Sequence, residues 1–265
     1  MRWLERFARA KSEPEPPSVA EQMAAALALA HGGDPAAALA AWGPLAHAGV
    51  ARAQNNVGAC FAEGLGVERD QDLAARWFSL AAESGDPIGQ RNLATLHFRG
   101  AGVAQDDGRA LALYRAAAEQ GDAVSQDMLS WMLAEEGSAA FDPSVARVWA
   151  RRAAEQGIAT SMTRLGMLHH QALGGERDPV EAARWWRMAA ERGDADAQAM
   201  LGAALHLGAG VAKDPVAALA WLTRATKGGS AHAERYLAAA RGGLDPGAIA
   251  EAERRAGAPL PGPAP

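Results

Sequence analysis

Glycine recurs along the chain at a fixed interval of 36 residues, at Gly49, Gly85, Gly121, Gly157, Gly193 and Gly229, and aspartate keeps the same interval at Asp34, Asp70, Asp106, Asp142, Asp178 and Asp214. Two residue types of such different chemistry share a period only if one structural unit is repeated, and a period of this length belongs to stacked helix-turn-helix arrays. Further columns agree, among them Ala74, Ala110, Ala146, Ala182 and Ala218, then Leu93, Leu129, Leu165, Leu201 and Leu237, then Gln54, Gln90, Gln126 and Gln198.

Each unit reads as two helices. In the first, for example from Pro87 to Arg99, apolar and small residues recur at steps of three and four and stop at Gly100, where a left-handed residue is wanted. A G-x-G-V turn follows at Gly64, Gly100 and Gly208. The second helix opens at the Asp column, whose carboxylate suits an N-cap, and Pro143, Pro179 and Pro215 follow it at N1. Asp178 and Glu181 are spaced as a capping box, as are Ser18 and Glu21.

The expected organisation has five parts. Residues 1–17 are a basic amphipathic N-terminus with a Pro-rich linker; 18–49 form a degenerate capping helix pair, disturbed in its middle by Pro44. Five full repeats occupy 50–229, a C-terminal capping pair occupies 230–256, and 257–265 is a tail without periodicity, expected to be disordered. The fold class is therefore all-α, with about seven antiparallel helix pairs.

Composition narrows the function. The formal net charge is −5, so there is no cationic excess to neutralise a phosphate backbone, and nucleic acid is not an expected partner. Cys60 is the one cysteine, which excludes an internal disulfide framework and a multi-cysteine zinc site. The first ten residues mix charges with apolar side chains and lack the h-region of a secretory signal. With no stretch of about 20 apolar residues to span a bilayer, stable membrane insertion is not expected, and the cytoplasm is the expected compartment.

The composite unit, A-x-x-Q-x-x-L-G-x-L, then Asp, Ala, Trp and a terminal Ala-Ala-Glu-x-Gly, resembles the Sel-one-like repeat (SLR), a relative of the tetratricopeptide repeat; good copies run from Ala51 to Gly85 and from Ala195 to Gly229. The third unit departs with Glu136-Gly137-Ser138-Ala139 in the turn, the fourth with Ala172-Leu173-Gly174-Gly175, and the second with Leu113 in the Trp slot. The resemblance implies a right-handed superhelical solenoid whose first helices line a concave groove, and an adaptor that assembles complexes through it. Some members are described as β-lactam-hydrolysing, chiefly disulfide-rich secreted ones; this chain has neither their cysteines nor an S-x-x-K motif.

Most repeated residues serve stability. The Asp column recurs in every unit, as caps do and a catalytic pair does not, and no G-x-G turn completes a phosphate loop. Trp77, Trp149, Trp185 and Trp221 share one column beside Trp42, Phe78, Tyr114 and Trp186, where each buried ring contributes about 1.5 to 3 kcal/mol. Cys60 sits in an apolar column, as a buried inert thiol would.

Function is sought where the units disagree. Counting from the ladder glycine, offsets 3, 6, 7, 10 and 13 of the first helix vary and share one face. The partner-binding candidates on or beside this face are Asn92, Met128, Trp131, Arg164, Met167, His170, Met200 and Tyr236. Trp and Arg are favoured interface anchors and Met suits pliable surfaces, whereas Trp131 as filler beneath the irregular third turn is the competing reading. The expected function is a non-enzymatic scaffold holding a protein or peptide, with no cofactor and no metal. The alternatives are a hydrolase or metal-dependent enzyme using His169, His170 and His206, and a membrane-proximal regulator using residues 1–12.

Overall fold

The computed structural model describes residues 16–260, which hold fourteen α-helices and no strand. The expected basic segment and most of its linker (1–15), and the tail from 261 onward, lie outside the described residues. Two compact units divide between Leu113 and Tyr114. The first contains α1 (Val19–His31), α2 (Pro35–His47), α3 (Ala51–Glu63), α4 (Gln71–Glu83) and α5 (Pro87–Arg99). The boundary falls inside α6 (Asp107–Glu119). The second contains α7 (Ala123–Ala134), α8 (Pro143–Glu155), α9 (Ala159–His170), α10 (Pro179–Ala190), α11 (Ala195–Leu207), α12 (Pro215–Lys227), α13 (Glu234–Gly242) and α14 (Pro246–Gly257).

Within each unit every helix packs on the next, as in a solenoid: α1 through α5 in the first, α7 through α13 in the second. First helices also touch first helices, α3 with α5, α7 with α9, and α11 with α13. The last pair closes the array differently, because α14 packs on α12. Arg224 on α12 donates to the carbonyls of Arg255 and Ala258, so the described start of the tail is held against the array.

The repeated columns each do one physical job. The Asp carboxylates accept backbone N–H bonds at the second-helix starts, as Asp70 does from Leu73 at 2.9 Å and Asp214 from Ala217 at 2.9 Å. Asp178 caps Val180 and Glu181, but Glu181 pairs with Arg184 instead of returning to the cap backbone, so the expected capping box forms only at Ser18. The Gln column crosses between units of the repeat: the Nε2 groups of Gln54, Gln126 and Gln198 donate to the carbonyls of Ala46, Ala118 and Ala190 at 3.2, 3.1 and 3.2 Å. Those carbonyls lie in the last turn of the preceding helix and already accept the N–H of Gly49, Gly121 and Gly193, so the buried amide is a second donor to each and ties one unit of the repeat to the next. Helix α2 continues past Pro44 to His47, where the burial of Trp42, Leu45 and Ala46 holds the last turn in place.

The fourth turn is less irregular than its sequence. Ala172 takes the left-handed conformation at φ 61, the place filled by Gly64, Gly100 and Gly208 elsewhere. A Cβ there costs about 1 to 2 kcal/mol. Ala172→Gly is expected to stabilise the second unit by about 1 kcal/mol, read as a higher urea midpoint at unchanged slope. The third turn is the true departure: α7 stops at Ala134 and its C-cap, Glu135, is extended at φ −72 and ψ 111.

Candidate functional site

Where one first helix meets the next, the variable face bounds a cleft. In the second unit it encloses about 330 Å³ between α7, α9 and the start of α11. Helix α7 contributes Trp131 and Ala134, and its C-cap Glu135 stands on the rim. Helix α9 contributes Thr160, Arg164 and Met167, the turn beyond it Leu173, and the N-cap and first turn of α11 Asp194 and Asp196. Trp131 keeps 37% of its surface exposed, large for a tryptophan in an array whose Trp42, Trp185 and Trp186 are buried to 5% or less.

Side-chain hydrogen bonds cross-brace the helices that form the cleft. Arg164 donates to the Asp127 carboxylate at 2.6 Å and to the Ser130 hydroxyl at 2.7 Å, tying α9 to α7. Asp127 also accepts from the hydroxyls of Thr160 and Ser161. Thr163 donates to Asp194 at 2.9 Å, and Asp194 caps α11 by accepting from the N–H of Ala197. Asp196 accepts from the hydroxyl of Ser230.

A second cleft of about 300 Å³ occupies the equivalent place in the first unit, two repeats earlier. There Ala59 stands for Trp131, Asn92 for Arg164, Thr95 for Met167 and Ala101 for Leu173, with Arg69 and Arg99 on the lining. Backbone geometry thus provides the cleft, and the variable residues give each copy its own chemistry.

Of the eight candidates, Trp131, Arg164 and Met167 come together in one cleft, and Asn92 lines the other, donating to Asn55 at 2.9 Å. Met128 and Met200 are half-buried beyond the lining. Tyr236 packs onto the closing cluster of α12, α13 and α14, and the His170 ring lies 5.5 Å from that of buried Trp186. Arg164 was expected as an outward anchor; its guanidinium instead braces two helices. Sequence reasoning missed Glu135, Asp194 and Leu173. Asp196 was within reach, because it occupies offset 3 of the variable face.

The histidines have other work. Arg147 donates to the buried His169 ring, and burial, then Arg147 and Arg151, push its pKa below the ordinary value against the pull of Asp178 and Glu181. Burial also lowers His170, with Arg177 adding to it. Neutral rings are favoured at both positions. Among the described residues no group of three or more His, Cys, Asp or Glu is placed to hold a metal ion, and no helix is long and apolar enough to cross a membrane. Cys60 is buried to 2% exposure, which raises its thiol pKa.

Comparison with known proteins agrees with this architecture. The sequence matches the Sel1 repeat at residues 51–86, 87–122, 123–158, 159–194 and 195–230. No curated protein gives a match. Among solved structures, a Sel1 repeat protein from Oxalobacter formigenes is similar at 27% identity and TM-score 0.77, over 88% of this chain and 96% of its own. A protective antigen present in uropathogenic Escherichia coli strains, which displays an SLR fold, is similar at 31% identity and TM-score 0.76 over 83% of this chain. This chain spans 47% of the length of that antigen.

Proposed function

The chain belongs to the Sel1 repeat family, and from that membership we propose that it is a non-enzymatic scaffold that holds a partner polypeptide in the cleft of Trp131 and Met167. Sel1 repeat proteins are helical repeat scaffolds generally involved in protein–protein interaction. One observation supports this cleft above others: the same place in the first unit is lined by Ala59, Thr95 and Ala101, whereas the second unit puts Trp131, Met167 and Leu173 there. Stability alone would favour turning such side chains inward, and an exposed tryptophan bordered by methionine is the kind of anchor that interfaces use.

Trp131→Ala is expected to reduce capture of the partner from extracts of the native organism at least tenfold, while far-ultraviolet circular dichroism stays that of the parent. Leu65→Ala, at a residue 46% exposed in a turn of the first unit, serves as control. Equal capture by the parent and Trp131→Ala would place the binding surface elsewhere.

A further inference from the structure

We propose that the segment this cleft accepts is cationic, with a lysine or arginine beside an aromatic or aliphatic side chain. The inference rests on the scaffold reading above and adds the chemistry of the partner. The apolar part of the lining, Trp131, Met167 and Leu173, suits the hydrophobic side chain. Charge decides its neighbour. Glu135, Asp194 and Asp196 border the cleft, against one guanidinium, Arg164, already neutralised by Asp127 at 2.6 Å.

The three carboxylates differ in how far they are satisfied. Asp194 accepts from a backbone N–H and from Thr163, and the α11 N-terminus offsets part of its charge. Asp196 has one hydroxyl donor, Ser230, and among the described residues no lysine or arginine forms an ion pair with it or with Glu135. Glu135 directly follows the helix that carries Trp131, so carboxylate and indole border the same space. An indole and a carboxylate on one cleft both favour a cation. The first unit supplies an internal contrast: its cleft keeps Glu63 at the place of Glu135 but adds Arg69 and Arg99, and it has Ala59 where Trp131 stands, its one aromatic lining residue being Phe78, which is buried to 3% exposure. The pairing of an exposed aromatic ring with an acidic rim therefore belongs to the second cleft and not to the repeat.

The test is selection of a random peptide library displayed on phage against the whole chain, with Trp131→Ala for counter-selection and the double variant Glu135→Gln with Asp196→Asn for affinity measurement. Peptides that depend on Trp131 are expected to be enriched several-fold in Lys or Arg next to an apolar residue and depleted in Asp and Glu. The double variant is expected to bind them about tenfold more weakly, with a flatter dependence on salt. Trp131-dependent peptides without that enrichment, or with affinity unchanged in the double variant, would overturn the cationic assignment and leave the scaffold reading standing. Absence of any Trp131-dependent peptide would overturn both.

Discussion

Trp186→Ala is expected to lower the stability of the second unit by about 3 to 5 kcal/mol, the range for truncating a large buried aromatic side chain. The ring is 3% exposed and fills the space above Gly166, where an added Cβ would come within 2.4 Å of Nε1. Its N–H donates to the Thr163 carbonyl at 3.3 Å, on the strand of contacts that leads through Thr163 to Asp194. Truncation therefore empties a cavity between α9 and α10 and removes a hydrogen-bond donor from the middle of α9. Urea unfolding followed by circular dichroism measures the loss. A change below about 1 kcal/mol would mean that the neighbours collapse into the space and that the ring is not a keystone of this pair.

Gly210→Ala is expected to cost about 3 kcal/mol, from a left-handed backbone and a collision together. At φ +73, a Cβ on residue 210 would stand 1.9 Å from the Pro179 carbonyl oxygen and 2.2 Å from its carbon. Neither is the end of a flexible side chain; both are backbone at the start of α10. Gly229→Ala separates the two causes, because at φ +83 it has the same backbone strain with nothing within 4 Å of the added carbon. The difference between the two variants in urea unfolding is the cost of the collision, expected to be about 2 kcal/mol. Equal losses would show that the turn can move off α10 freely.

The fold was legible because its signals are local and repeated. The Asp column caps second helices wherever it occurs, and the Trp column with its neighbour is core at Trp149, Trp185 and Trp186, with Trp77 and Trp221 partly exposed. What the columns touch was less legible. The Gln ladder gave no hint that its amides reach carbonyls of the preceding helix, and the fourth turn looked broken although Ala172 and Gly174 preserve its path. In the site, periodicity found the outward face and with it Trp131 and Met167. It could not see that Arg164 would be taken up by Asp127 and Ser130, since a salt bridge between successive first helices depends on side-chain reach across 37 residues of sequence. Nor did it point to Glu135, which stands at offset 14 from Gly121, just past the variable offsets, yet lines the cleft as Glu63 does in the first unit.

The seating of the turns has a further consequence. Where a turn has its second glycine, that residue rests on the start of a helix that precedes it in the chain: Gly102 on Gln71, Gly174 on Pro143, Gly210 on Pro179. Each of these joints therefore uses a surface that the ribosome has already released when the turn emerges, and none of the three waits for sequence still to be made. Such joints can consolidate in the direction of synthesis, and inserting or deleting one whole unit in register would leave each glycine-seated turn with the seat it needs.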